Sequence, residues 1–132
     1  MARSRFNNRD PIYLQVIDNF RNRLVSGELS LGEELPSRRE IARQLGINPN
    51  TVQRAFSEME TMNWIFTVPN RPSRVTSDPD VLNGIKQAFV ENAVKKFVTS
   101  IQTIDITYEE VSKLLTAEIA RQQKNSGGNP DD

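Results

Sequence analysis

The first half of the chain contains three stretches in which apolar residues recur at the spacing of one helix face. The first stretch follows Asp10 and Pro11, an N-cap residue and a first-turn proline, and it stops at Gly27, a common helix terminator. Its apolar positions are Ile12, Val16, Ile17, Phe20, Leu24 and Val25. This spacing predicts an amphipathic helix that begins at Asp10 and Pro11.

The next two stretches predict short helices separated by a tight turn. Ser37 and Glu40 have the spacing of a capping box, in which each side chain binds the backbone N–H of the other residue, and Gly46 ends the helix that they open. Asn48 and Pro49 then repeat the cap-plus-proline signal. The apolar stripe of the second of these helices contains Val52, Ala55, Phe56, Met59 and Met62. Two helices joined by a short turn that contains glycine predict a helix-turn-helix.

A run of strand-forming residues follows this helix pair. Residues 64–68 read Trp-Ile-Phe-Thr-Val, residues 69–72 contain two prolines and an asparagine, and residues 73–76 are able to return as a second strand. A two-stranded hairpin is too small to be stable alone, so we expect it to pack on the helices as a wing, with Trp64 in the core.

The second half of the chain predicts two more helices. Asp78 and Pro79 cap the first, a break follows at Asp105, and a capping box of Thr107 and Glu110 opens the second. Two helices cannot enclose a core, so their apolar faces need a cover. A second copy of the chain is our first interpretation, and coiling against a different protein is the alternative. The residues that we expect at a dimer interface are Leu82, Ile85, Phe89, Phe97, Ile101 and Leu115.

Charge is divided unevenly between the two halves, although the net charge is zero. Residues 1–76 hold 11 Arg and no Lys against 8 acidic residues, which gives +3, and residues 77–132 hold 6 basic against 9 acidic residues, which gives −3. Arg binds phosphate and guanine edges with its planar fork, so its confinement to the front half indicates a nucleic-acid partner. The alternative is an ordinary solvated surface.

The outward face of the second helix-turn-helix helix carries side chains that suit base recognition. Asn50, Gln53 and Arg54 are able to pair with adenine or guanine edges, and Thr51 is able to reach bases or phosphates. An ordinary surface helix, the alternative interpretation, would contain more Glu and Lys. For Arg54 a further alternative is an ion pair with Glu58, one turn along the helix.

Other arginines are candidates for contacts to the DNA backbone. Arg39 and Arg43 lie four residues apart, where like charges repel, and a bound anion would relieve this repulsion. The alternative is local neutralisation by Glu40. Arg71 at the tip of the wing and Arg74 beside it are candidates for the backbone or the minor groove, against the alternative of simple solvated charges.

The composition excludes several classes of function. The chain has no Cys and no His, which removes disulfides, thiolate and imidazole catalysis and the usual zinc ligands. No Gly-rich phosphate loop or converging acidic pair is evident, so we expect neither an enzyme nor a cofactor or metal. No apolar run approaches the roughly 20 residues that span a bilayer. We therefore expect a cytoplasmic protein without a membrane partner.

The motifs of residues 35–60 resemble the GntR family of bacterial transcription regulators. Residues 35–42 read Leu-Pro-Ser-Arg-Arg-Glu-Ile-Ala, residues 45–55 read Leu-Gly-Ile-Asn-Pro-Asn-Thr-Val-Gln-Arg-Ala, and Glu58-Met59-Glu60 follows. Residues 11–16, Pro-Ile-Tyr-Leu-Gln-Val, are similar to the start of that family's domain. The resemblance covers about residues 10–76 and implies a winged fold that binds double-stranded DNA.

The resemblance also implies which residues contact DNA, and it places the chain near a short-tailed subfamily. The implied contacts are Arg39, Asn48, Pro49, Asn50, Thr51, Gln53, Asn70 and Arg71. The wing departs from the family pattern, because Asn70 and Pro72 occupy glycine positions and proline cannot adopt a left-handed conformation. The brief helical extension is similar to that of the YtrA-like subfamily, which implies dimerisation and, often, a transporter operon as the target.

These observations predict a mainly α fold with a small β-hairpin wing: a winged helix-turn-helix domain followed by a two-helix dimerisation extension. We expect a basic N-terminal arm at residues 1–9, the DNA-binding domain at residues 10–76, the extension at residues 77–124 and a disordered tail at residues 125–132. The predicted protein is a homodimeric repressor of an inverted-repeat operator, with any effector unknown. A winged module that binds protein is the competing interpretation. The full set of candidate DNA contacts is Arg38, Arg39, Arg43, Asn48, Pro49, Asn50, Thr51, Gln53, Arg54, Asn70, Arg71 and Arg74.

Overall fold

A computed structural model describes residues 6–127 and contains five α-helices and one two-stranded antiparallel sheet within them. The described residues divide into two compact units, the first ending at Ala93 and the second beginning at Val94. The elements in chain order are α1 (Ile12–Val25), α2 (Arg38–Leu45), α3 (Pro49–Thr61), β1 (Ile65–Phe66), β2 (Arg74–Val75), α4 (Pro79–Ile101) and α5 (Tyr108–Gly127). The mainly helical architecture with a small hairpin confirms the predicted fold class.

Helix α1 begins one residue later than the sequence predicts. Pro11 is the N-cap residue, and its carbonyl accepts from the backbone N–H groups of Leu14 and Gln15. The carboxylate of Asp10, the predicted cap, instead accepts from the Asn7 side chain at 3.1 Å. The prediction that Asp10 caps this helix was therefore wrong, because proline holds the extended backbone from which the helix starts.

Local side-chain caps set the starts of α2 and α3. The Ser37 hydroxyl accepts from the backbone N–H of Glu40 at 3.0 Å, and the Asn48 side-chain oxygen accepts from that of Asn50 at 2.7 Å. Only half of the predicted capping box forms, because the Glu40 carboxylate turns to Arg43 and Gln44 instead of back to Ser37. Gly46 ends α2 with φ +68°, a left-handed conformation that glycine adopts without strain.

The core of the first unit lies where α3 packs against α1, α2 and strand β1. Phe20 of α1 meets Phe56 of α3 edge to face, with ring centroids 6.3 Å apart. Ile65 and Val75, a paired couple in the sheet, cover the other end of the core. Met62 is largely exposed and Trp64 is only half-buried at the edge, so the core is smaller here than predicted.

The hairpin is shorter than predicted, with two residues in each strand. Ile65 pairs with Val75 and Phe66 with Arg74. Glu34 forms an isolated bridge to Arg74, so the loop before α2 pairs with the strand that returns from the wing. Leu35 completes this pairing by donating its backbone N–H to the Ser73 carbonyl at 2.9 Å. These bonds tie the base of the wing to the body of the first unit.

The first turns of α4 belong to the core of the first unit. Ile85 is 6% exposed, and Val81 and Leu82 are partly buried against the same core. The expectation that Ile85 lies at a dimer interface was therefore wrong, since this chain itself covers it. Leu82 is only partly covered, and its place at an interface stays a prediction. Phe89 is 39% exposed, and the Arg21 guanidinium lies 5.9 Å from its ring centroid.

The second unit consists of the end of α4 and helix α5. The hydroxyl of Thr107 accepts from the Glu110 backbone N–H at 3.1 Å and the Glu110 carboxylate accepts in return, so the predicted capping box forms completely. The two helices border an apolar groove of about 310 Å³. Its lining residues are Phe97, Ile101, Ile104, Ile106, Val111, Leu114, Leu115 and Glu118.

Helix α5 continues to Gly127, so residues 125–127 are helical where a disordered tail was expected. Residues 128–132 of that predicted tail, and residues 1–5 of the predicted arm, lie outside the described residues. In the part of the chain that the structure describes, every helix is too short or too polar to cross a membrane.

Candidate nucleic-acid interface

Helix α3 presents two chemically different faces. Val52, Ala55, Phe56 and Met59 are buried in the core. The opposite face, at the N-terminal end of the helix, exposes amide, guanidinium and hydroxyl groups. Its members are Asn48, Pro49, Asn50, Gln53, Arg54 and Ser57, with the half-buried Thr51 at its edge.

The polar side chains of this face differ in how far they are already engaged. The Asn48 oxygen is occupied by the helix cap. The Gln53 amide donates to the Ser57 hydroxyl at 3.3 Å, a long bond that a base edge could replace. Within residues 6–127, the side chains of Asn50 and Thr51 make no hydrogen bond. Asn50, Thr51 and Gln53 are therefore available to acceptors and donors on a ligand.

Arg54 lies beside an aromatic ring of α1. Its guanidinium is 3.8 Å from the centroid of the Tyr13 ring. No ion pair between Arg54 and Glu58 occurs in the described structure, so the alternative interpretation of this arginine is not what the fold adopts.

Arg39 and Arg43 of α2 have different surroundings. Arg43 pairs with Glu40 through two hydrogen bonds, which lower the pKa of the Glu40 carboxyl and raise that of the Arg43 guanidinium. The local neutralisation that we considered for this pair is thus present at Arg43. Arg39 is exposed, and no carboxylate among residues 6–127 pairs with it.

Arg38 contacts the body of the domain. Its guanidinium lies 4.7 Å from the centroid of the Phe56 ring and 3.4 Å from a carboxylate oxygen of Glu60. The Arg38 side chain is 29% exposed. Arg74 is also engaged, because it donates to the Gly32 carbonyl at 3.0 Å. Both side chains therefore have structural partners, in contrast to the free guanidinium expected for a DNA contact.

The wing tip has the conformation that its asparagine allows. Asn70 adopts φ +65°, the left-handed region that glycine would supply in the family pattern. The Arg71 backbone N–H donates to the Val68 carbonyl at 3.0 Å and closes the turn, while its side chain is exposed. Asn70 and Arg71 therefore lie at the tip of a formed wing.

A hydrogen-bond chain that the sequence analysis missed connects the wing to α3. The Thr67 hydroxyl donates to the Glu60 carboxylate at 2.5 Å and lies 2.6 Å from the Ser73 hydroxyl. Because Glu60 also holds Arg38, this chain joins α2, α3 and both sides of the hairpin. The sequence indicated only that α3 carries a charged residue at position 60, and this does not identify the partners of Glu60.

The chain and its fold are similar to bacterial transcription regulators. The family model described as bacterial regulatory proteins, gntR family, matches residues 12–75. The uncharacterized HTH-type transcriptional regulator YhcF of Bacillus subtilis is 34% identical over 108 residues, which are 82% of this chain and 89% of YhcF. The HTH-type transcriptional repressor YtrA of the same organism is 27% identical over 87% of this chain and 92% of YtrA.

A solved structure extends the likeness over most of the fold. A GntR family transcriptional regulator from Listeria monocytogenes superposes with a TM-score of 0.78 at 27% identity, and the match covers 85% of this chain and 98% of that one. The likeness to YhcF likewise extends over most of both chains. The chain therefore belongs to the GntR family of bacterial DNA-binding transcription regulators.

Proposed function

We propose that this regulator is a homodimeric repressor that binds an inverted-repeat operator through α3. The observation that carries the proposal is the N-terminal end of α3, where Asn50 and Gln53 are exposed and Thr51 is half-buried at the edge, while the other face of the helix is buried. In helix-turn-helix proteins the N-terminal part of the second helix contacts base edges in the major groove. Repression is inferred from the name of the relative YtrA, a transcriptional repressor.

The dimer is inferred from the second unit. Eight large apolar side chains between Val94 and Ile119 are exposed there, and the groove beside them is lined by seven apolar residues and one carboxylate. Exposed apolar patches of this kind mark interaction surfaces. A second copy supplies a matching face by symmetry, and a two-fold dimer reads two half-sites about one helical turn apart.

The proposed contacts to the DNA backbone are assigned to side chains that are exposed, with preference for those whose charge is not neutralised by a neighbour. We assign Arg39 and the wing-tip residues Asn70 and Arg71 to the DNA backbone, with Arg43 as a weaker candidate because Glu40 neutralises it. We place the regulator in the cytoplasm, with the chromosome, and infer no catalytic activity. A transporter operon is the target class that the likeness to YtrA-like regulators supports.

Selection of bound duplexes from a random pool, followed by sequencing, tests the proposal. We expect a two-fold symmetric consensus. Gln53→Ala should relax the preference at one symmetric pair of positions, because glutamine pairs bidentately with adenine and discriminates by about 1–3 kcal/mol. Affinity for random duplex should change little. Identical profiles for wild type and Gln53→Ala would remove Gln53 from the base-reading set, and the absence of any consensus would refute operator binding.

Arg39→Ala tests the proposed contact to the backbone. A lost phosphate contact should weaken binding to the selected operator and to random duplex by similar factors, and it should lower the slope of log K against log salt by about 0.9. The matched control is Arg23→Ala. It removes the same charge from the last turn of α1, where Arg23 pairs with Glu28. A changed consensus at unchanged salt slope would assign Arg39 to base reading instead.

A further inference from the structure

The contact between Tyr13 and Arg54 joins the start of α1 to the exposed face of α3. Tyr13 lies in the first turn of α1, half-buried against the core, and Arg54 lies in the second turn of α3, exposed. The guanidinium is 3.8 Å from the ring centroid, well within the roughly 6 Å over which a cation is attracted to an aromatic face.

Arg54 adopts this position although a carboxylate is available nearby. Glu58 follows Arg54 by one helical turn, the spacing at which Arg and Glu commonly pair. Within residues 6–127, however, no hydrogen bond or ion pair involves the Arg54 guanidinium, and its one close partner is the ring. The ring attracts the charge of the guanidinium and contains no nitrogen or oxygen acceptor, so the N–H donors of Arg54 are still able to form hydrogen bonds with a ligand. Tyr13 therefore fixes the side chain of Arg54 without occupying its hydrogen-bonding groups.

We propose that Tyr13 is a positioning residue for DNA binding, which holds Arg54 so that its free N–H groups meet acceptors on DNA. The inference rests on the proposed function. Arg54 directly follows Gln53 and shares the exposed end of α3 with Asn50, so the same duplex that these residues approach lies within its reach. A long, flexible side chain that is already ordered loses less conformational freedom on binding. The acceptors are phosphate oxygens or a guanine edge, which Arg recognises with the same fork.

A double-mutant cycle measures whether Tyr13 acts through Arg54. We expect Arg54→Ala to weaken binding to the selected operator at least about tenfold, since hydrogen bonds to charged groups contribute about that much. Tyr13→Leu should weaken it about two- to fivefold, the range of an exposed cation–aromatic contact. In the Arg54→Ala background, Tyr13→Leu should have no further effect, because the group that it positions is gone.

Two variants separate the ring face from the bulk of the side chain. Tyr13→Phe keeps the face and should bind within about twofold of wild type, whereas Tyr13→Leu keeps apolar bulk and should not. Each variant is first compared with wild type in thermal unfolding, and dissociation constants refer to the folded, active fraction. A purely structural role of Tyr13 would weaken binding equally in both backgrounds.

The outcomes distinguish this inference from the function on which it rests. Equal losses for Tyr13→Leu in both backgrounds, full affinity of Tyr13→Leu, or no loss on Arg54→Ala would overturn the positioning role while operator binding by wild type stands. Failure of wild type to bind any duplex would overturn the proposed function and this inference with it. If the cycle holds, losses on both operator and random duplex assign the acceptors to phosphate, and a loss confined to the operator assigns them to a base edge.

Discussion

Phe97→Glu should convert the proposed dimer to a 15.0 kDa monomer and weaken operator binding about 100-fold or more. Phe97 is 38% exposed and borders the apolar groove of the second unit together with Ile101 and Leu115. A carboxylate at this position would have to be buried without a partner in a dimer interface, which is strongly unfavourable. A monomer binds one half-site only, so it loses the effective concentration that links the two recognition helices.

Light scattering and binding to a two-half-site duplex measure the two consequences. Thr99→Glu is the matched control, because it adds the same charge to the same helix two residues later, on the opposite face. This control should remain dimeric and bind as wild type. On a duplex with a single half-site, the Phe97→Glu variant and wild type should have about the same affinity per DNA-binding domain. Light scattering that gives 15.0 kDa for wild type would contradict the dimer, and with it this prediction.

Local signals in the sequence predicted most of the fold. The caps at Ser37, Asn48 and Thr107 form as expected because each is a hydrogen bond between residues two or three positions apart. The buried face of α3 follows from helical periodicity alone. The start of α1 was predicted one residue too early, because Asp10 and Pro11 are adjacent and both are typical of a helix N-terminus. In the fold the Asp10 carboxylate accepts from the Asn7 side chain, and Pro11 is the N-cap residue.

The roles of the arginines were beyond local reasoning. Arg38 and Arg39 are neighbours in the sequence, yet one packs on Phe56 and pairs with Glu60, 22 residues away, while the other is exposed. Which of two adjacent arginines turns inward depends on a partner that only the tertiary fold brings near. The contact of Arg54 with Tyr13 has the same origin, since it joins two helices that are far apart in the chain.

The apolar stripe of α4 shows a further limit of periodicity. Leu82, Ile85 and Phe97 look equivalent in the sequence, but the first unit buries Ile85 to 6% exposure while Phe97 remains partly exposed. Periodicity identifies an apolar face and does not say what covers each part of it. The first unit covers the apolar face of α4 at Ile85 and leaves it partly exposed at Phe97, and only the folded chain shows this difference. The predicted interface therefore included one residue, Ile85, that belongs to the core.

Phe56→Ala should lower the free energy of unfolding by about 3–5 kcal/mol, the range for removal of a buried aromatic side chain. Phe56 is 1% exposed, stacks edge to face on Phe20, and lies beneath the Arg38 guanidinium at 4.7 Å. Its loss leaves a cavity between α1 and α3 and removes one of the two close partners of Arg38. The buried Nε of Arg38, which has no hydrogen-bond partner within the described residues, would then lie against a void or water.

Phe66→Ala is the matched control, because it deletes the same side chain from a position that is 40% exposed on β1. It should lower the free energy of unfolding by less than half as much, since less apolar area leaves the interior. Urea unfolding of both variants at one protein concentration makes the comparison, because the proposed dimerisation would make apparent stability depend on concentration. Equal losses would mean that the contact between α1 and α3 does not dominate the core. Since α3 also carries the exposed Asn50 and Gln53, a loosened α1–α3 contact should also weaken operator binding at temperatures where the Phe56→Ala variant is still folded.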